Sequence, residues 1–400
     1  MSINVTKEHL RIASELVAEA HRNNGLAPVN LEQFYADQEI AVKDPFGPDI
    51  PQCPLGLLNM SEVCVFDELG IPEDLDRYYA DDEWRITLNR MYNDKAEKII
   101  GRRPLSEQPR GPFGRNPRVP PKGLHDIFEG KTVWKSGTLW LEQSARNEAE
   151  LVALLDRVEK RLENLKDFIL DDEWKKQKEL RIKLGAPMPR YRAQRGPVTF
   201  ATSIYGVENL IFLLYDNPKL AERFRDLILR AMLELARIYD EEAGYTPETE
   251  PHGFSFSDDN CYLLTANMYE DFGYPIVKAI FDRYCPNPED VRFIHADTDV
   301  THLLPIMAKL NLTRVNFGPT VMVDTIRRYM PRTVILGVLA PFTFSRNEEV
   351  NIVAEFLRDF EMAKPTRGLK FETAGAINNG SRLTGLRLIM SAIQKYGRYR

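Results

Sequence analysis

The 400-residue chain is short of two chemistry-bearing residue types, with four cysteines and six histidines. Cys53, Cys64, Cys261 and Cys285 form no C-x-x-C pair, which excludes a zinc ribbon and a dithiol redox motif. So few thiols suit a reducing compartment, and a cytoplasmic location is expected. Nowhere do about 20 apolar residues run together, as a membrane-spanning helix requires. The opening residues, MSINVTKEHLRIASELVAEAHR, lack the apolar core of a signal peptide. A surplus of positive charge is also missing: 53 Lys and Arg stand against 59 Asp and Glu, a net charge of −6 with no footprint for nucleic acid. No Gly-x-Gly-x-x-Gly follows the first strand-like run, which argues against a dinucleotide-binding sheet. Internal repeats and low-complexity tracts are absent as well.

What is present is an ordinary globular composition, 43% hydrophobic and 28% charged, in a chain long enough for a large α/β barrel with an additional segment. The first 25 residues read as an amphipathic helix carrying Leu10, Ile12, Leu16, Val17 and Ala20. From Pro28 to Gly56 prolines and glycines predict irregular structure. EVCVFDELG (62–70) reads as a strand and 82–100 as a helix. The stretch 102–123, rich in Pro, Gly and Arg, reads as a surface loop, its five arginines leaving a lid or a partner-binding arm open.

Beyond residue 125 the rhythm changes. Strand-like runs at 132–140, 198–206, 252–259, 291–299, 313–319, 333–340 and 368–376 alternate with helical stretches at 148–168, 217–244, 266–284, 301–310, 322–329, 348–360 and 382–396. The 217–244 helix carries the stripe Leu220, Phe224, Leu227, Ile228, Ala231 and Leu235. Strand-then-helix alternation predicts a parallel sheet with right-handed crossovers. The expected fold is α/β, a (β/α)8 TIM barrel over 126–400 preceded by a mostly helical and irregular extension over 1–125, with 62–70 supplying an early strand.

In such a barrel the reactive groups gather at the C-terminal strand ends. Reading past each expected strand gives Asp258 and Asp259, then His295 and Asp297 with Asp299 beyond, then Asn316, then Glu372 and Thr373 before a Gly375–Ala376 turn. Burying such polar groups without partners costs several kcal/mol each, on the order of 2–7, so their convergence on one rim implies use. His295 and Asp297 are two apart on a strand and point the same way. With Glu372, or with an Asp of the 258–259 pair, they form a candidate site for zinc or another divalent ion. The competing reading has His295 donate to Asp297 or to a backbone carbonyl and hold the rim together. Asp258, Asp259 and Glu372 are the catalytic candidates. Tyr205, Phe256, Asn316 and Phe317, with Phe254, are candidates for a substrate wall, although such aromatic residues are more often core than pocket. His252 precedes its strand and belongs to the opposite, stability face. His302 starts a helix.

The text FSFSDDN, followed by LTANMYEDFGYPIVKAIFDRY, resembles the Asp-Asp strand end and following helix of the uroporphyrinogen decarboxylase superfamily, which includes the corrinoid-dependent methyltransferases. FIHADTDVTHLLPIMAKLNL resembles the superfamily's His-x-Cys-Gly strand and helix, and FETAGAINNGSRLTGLRLIMSAIQKYGRY its last strand, Gly-rich turn and terminal helix. The thiol-methylating members bind zinc with His-x-Cys and a later Cys. Here those positions hold His295, Asp297 and Ala374 or Ala376, so both thiolates are missing. The Arg-Gln-Ala-Gly-Arg run of the decarboxylases is missing too. The resemblance therefore implies the methyltransferase component of an O-demethylase, moving a methyl group from an aryl methyl ether to the Co(I) corrinoid of a partner protein, with metal assistance. The alternative it implies is a cofactor-free decarboxylase. A binding protein that has kept the barrel is a third class, disfavoured by the converging rim polars. A homodimer is compatible with each.

Overall fold

The computed structural model describes residues 4–57, 60, 62–111, 122–135 and 138–399. Residues 112–121 of the expected arginine-rich loop lie outside the described residues. The chain packs as two compact units: residues 1–109, 296–304 and 313–400 form one, and residues 110–295 with 305–312 form the other. Eight strands occur among the described residues: β1 (Thr132–Lys135), β2 (Thr138–Leu141), β3 (Ala193–Arg195), β4 (Phe254–Ser257), β5 (Arg292–Ala296), β6 (Arg314–Phe317), β7 (Val334–Leu339) and β8 (Leu369–Thr373). β1 and β2 pair with each other, antiparallel, as a separate two-stranded sheet. The remaining six are ordered β3-β4-β5-β6-β7-β8, with β3–β4, β4–β5, β6–β7 and β7–β8 all parallel. This is the α/β alternation the sequence predicts, with helices between successive parallel strands.

In the first unit, helix Lys7–Arg22 opens with a reciprocal cap: Thr6 Oγ1 accepts the His9 amide at 3.1 Å and His9 Nδ1 accepts the Thr6 amide at 3.2 Å. It buries Ala13, Leu16, Val17 and Ala20 and packs on helices Glu349–Ala363 and Leu383–Tyr396. Segment 53–56 runs beside β8, where Phe371 N–H donates to the Pro54 carbonyl and Gly56 N–H to that of Phe371, both at 2.8 Å. Pro51 and Pro54 have no N–H to give, so this contact stays an isolated parallel bridge, Leu55 to Phe371. In the second unit helix Pro218–Glu242 buries Leu220, Phe224, Leu227, Ile228, Ala231 and Leu235, the stripe read from the sequence. Among the described residues no single helix is long and apolar enough to cross a membrane.

Several expectations are corrected. The run 198–206 is a helix, Pro197–Tyr205, and the strand is the shorter β3 just before it. Eight of its nine residues are buried, so the apolar, β-branched text carries no helical stripe. Pro197 at the first helical position and Gly196 at the cap are its start signal. The run 62–70 is also helical, Cys64–Leu69, closed by Gly70 at φ 68°. The described residues of the run 132–140 lie in β1 and β2, which pair with each other and not with the parallel sheet. The expected helix 301–310 is broken into Thr301–Leu303, Leu304–Met307 and Ala308–Leu310, in keeping with the amide that Pro305 lacks. The region 28–56 contains helix Leu31–Ala41, capped by Asn30. Helix Asp172–Leu184 was not anticipated. Among the described residues the parallel sheet has six strands and no β3–β8 pairing, so the α/β parallel architecture of the expected barrel is present without its closure.

Candidate functional site

β4 has a buried face and an open one. Phe254 and Phe256 are each 1% exposed and pack on Tyr284 and Phe281 of helix Gly273–Tyr284, whereas Ser255 and Ser257 alternate to the other side. Phe256 therefore belongs to the helix-facing core, as do Phe317, fully buried, and Tyr205, 3% exposed near the end of helix Pro197–Tyr205. None of these expected wall residues presents its ring to solvent.

The strand-end aspartates after β4 serve different ends. Asp258 is 1% exposed, and one of its carboxyl oxygens accepts the Thr199 amide at 2.7 Å, capping the first turn of helix Pro197–Tyr205 from a distant part of the chain. Burial pushes the Asp258 carboxyl up to about 7, against the lowering effect of that hydrogen bond, and the neighbouring Asp259 charge adds to the rise. Its other oxygen has no hydrogen-bond partner, which suits a group that is readily neutral. Two further bonds tie the turn to the same helix: Asn260 N–H donates to Thr199 Oγ1 at 2.9 Å and Asn260 Nδ2 to Thr202 Oγ1 at 2.8 Å. Asp259 is thereby set at a fixed place beside β5. Its Oδ1 lies 3.5 Å from His295 Nε2, and the Asp258 amide donates to the His295 carbonyl at 2.8 Å.

His295 and Asp297 are two apart at the end of β5, as the sequence indicated. One donor atom from each of Asp259, His295 and Asp297 lies within 4.8 Å of the other two. A nitrogen and two carboxylates in that span fit a divalent ion. Beside Asp297 the turn after β8 passes close: a Cβ on Gly375 would meet Asp297 Cβ at 3.1 Å, and Gly375 has a φ of 104°, which glycine alone adopts readily. Cys261, two residues from Asp259, is fully buried, and burial followed by the Asp258 and Asp259 charges pushes its thiol well up. It packs as a core thiol.

Glu372, Asn316 and Asp299 lie in the first unit. Glu372 stands on β8 against Gly56, where a Cβ would meet Glu372 Oε2 at 1.8 Å and Cβ at 2.9 Å. Asn316 is 5% exposed and binds three strands together: Nδ2 donates to the Leu336 and Thr373 carbonyls at 2.8 and 3.1 Å, and Oδ1 accepts the Gly375 amide at 3.0 Å. Asp299 accepts the Thr301 amide at 3.0 Å and starts the following turn. His252 precedes β4, beside Asn287 and Asp290, and His302 lies in the short helical turn Thr301–Leu303.

One residue escaped the sequence reading. Arg195 ends β3, in register with Ser257 of β4, and its Nη1 donates to Ser203 Oγ at 2.9 Å. Taking 198–206 as the strand places the strand end near Tyr205, about ten residues beyond Arg195. The Gly196–Pro197 helix start was the signal that locates it.

No curated protein matches the chain. Among solved structures, a methyltransferase from Methanosarcina mazei superposes with a TM-score of 0.53 at 16% identity, covering 90% of this chain and 98% of that one, a likeness of fold. The family model for uroporphyrinogen decarboxylase (URO-D) matches residues 156–396, more than half of the chain. The chain belongs to the uroporphyrinogen decarboxylase family.

Proposed function

We propose that this chain is a methyltransferase that moves the methyl group of an aryl methyl ether to a Co(I) corrinoid carried by a partner protein, within a (β/α)8 barrel of which the six-stranded sheet is the greater part. The observation that carries the reading is the donor set of Asp259, His295 and Asp297, all nitrogen and oxygen, with Cys261 held nearby as a buried thiol. Such a set is poor for a soft sulfur acceptor and well suited to an oxygen ligand. A member of the same fold that is a methyltransferase supports it.

Asp259, His295 and Asp297 would hold zinc or another divalent ion, which when bound supplies Lewis acidity at the ether oxygen. The O–CH3 bond breaks with its electron pair left on oxygen, the methyl carbon becomes bonded to cobalt, and the oxygen takes up one proton. Glu372, the carboxyl group of β8, is the proposed proton donor or a further ligand. Asp258 is a positioning residue: it anchors the turn that presents Asp259.

The test is metal content of the purified chain by mass spectrometry, beside His295→Ala, Asp297→Ala and Asp259→Ala, followed by ether demethylation with a Co(I) corrinoid acceptor. About one divalent ion per chain, lost in the variants, with methyl transfer that needs the acceptor, is expected. A wild-type chain that takes up no metal after incubation with zinc sinks this mechanism and favours the cofactor-free decarboxylase.

A further inference from the structure

In β3, β4 and β5 the register aligns Arg195, Ser257 and His295 in one row, with Ala193, Ser255 and Phe293 in the row before. Register partners in adjacent strands point to the same face. Since Phe254 and Phe256 occupy the helix side of β4, this row lies on the opposite, open side, where Arg195 and Ser257 are exposed. Arg195 and His295 are separated by two strand spacings, about 10 Å between backbones.

The Arg195 guanidinium is held in place without being neutralised. Nη1 is tied to Ser203 Oγ, which itself donates to the Thr199 carbonyl at 2.7 Å. Among the described residues no carboxylate lies within ion-pair distance of Arg195. Burial lowers the affinity of this guanidinium for its proton and the Asp259 charge restores part of it, so the group is partly desolvated although solvent reaches it. Nε and Nη2 remain as two parallel N–H donors, the geometry that matches a planar carboxylate. A dianionic phosphate is disfavoured by the nearby Asp259 carboxylate and by the net charge of −6.

We infer that Arg195, with the Ser257 hydroxyl, is an anion subsite that selects aryl methyl ethers carrying a carboxylate on the side of the ring remote from the ether oxygen. This rests on the function proposed above, since it places the ether at His295 and the acid at the far end of the same row.

The test is calorimetric binding of 4-methoxybenzoate, its neutral counterpart 4-methoxybenzamide and 2-methoxybenzoate to the full chain and to Arg195→Met and Arg195→Lys, at low salt. The wild type is expected to bind 4-methoxybenzoate at least about tenfold tighter than the amide, in line with a charge-assisted bidentate contact. It should also bind the 4-isomer more tightly than the 2-isomer. Arg195→Met is expected to abolish the preference over the amide, and Arg195→Lys, which keeps charge but not the fork, to retain part of it. A thermal melt within a few degrees of wild type shows that Arg195→Met is folded. Equal binding of acid and amide by the wild type, equal binding of the two isomers, no binding of any, or a preference that survives in Arg195→Met overturns the inference. The two readings fail separately. An Arg195-dependent preference without methyl transfer leaves the subsite standing and removes the methyltransferase. Demethylation of acid and amide at equal rates, with equal binding, does the reverse.

Discussion

Gly196 and Asp258 are packed so closely that a Cβ on Gly196 would sit 2.1 Å from the Asp258 Cβ. The approach is backbone-bound on one side, because the Gly196 amide donates to the Ser257 carbonyl at 2.7 Å, so neither partner can retreat without breaking the end of the β3–β4 ladder. Gly196→Ala is expected to destabilise the chain by more than about 2 kcal/mol, in the range of severe overpacking. A urea midpoint unchanged from wild type would show that the turn yields more easily than its contacts indicate.

Asp258 anchors the helix through the Thr199 amide, which makes its variants separable. Asp258→Ala removes the acceptor for the Thr199 amide and is expected to cost about 1–3 kcal/mol. Asp258→Asn keeps an acceptor oxygen and relieves the burial of a charge, so its loss should be smaller. Urea unfolding of the two proteins at neutral pH checks the order. An Asn variant as unstable as the Ala variant would mean that the carboxylate charge itself is required.

Asn316 joins β6, β7 and β8 through three hydrogen bonds to backbone groups. Asn316→Ala leaves two carbonyls and the Gly375 amide to find other partners, and about 2–4 kcal/mol of stability should be lost. Because the Gly375 turn lies against Asp297, metal affinity should fall as well. Full metal binding in a destabilised Asn316→Ala chain would separate the strand clasp from the candidate site.

Glu129 is clasped by Arg157 and Arg161, at 2.7 and 2.8 Å. The Arg157 hydrogen bond, opposed by partial burial and joined by Arg161, pulls its carboxyl down to about 2. A depressed folded-state value means that the stabilisation is present above the unfolded value of 4.5 and is lost as pH falls from there toward 2. Glu129→Gln should therefore cost about 1–2 kcal/mol at pH 7, after allowance for solvent screening of a partly exposed group. The gap in melting temperature between variant and wild type should narrow as pH falls below 4.5. A gap independent of pH would mean that packing, not charge, is what Glu129 contributes.

Much of the molecule is legible in its local text because local periodicity reports burial. The 82–100 helix and the stripe on Pro218–Glu242 are examples, as are β4, β5, β6 and β8, each ending within a few residues of its polar cluster. The pairing of His295 with Asp297 follows from strand periodicity alone. The text fails where a segment is buried on all sides. Pro197–Tyr205 shows no polar face, so its helix is invisible to periodicity and depends on a cap supplied by Asp258, 59 residues away. The sequence by itself determined the residue types at the strand ends, and with them the absence of thiolate donors at the positions expected to ligate. Only the tertiary structure decided which of the two aspartates after β4 is buried and which lies beside His295, because backbone register and helix capping, not composition, set the direction of each side chain. The alignment of Arg195, Ser257 and His295 was decided in the same way, since strand pairing joins residues far apart in the chain.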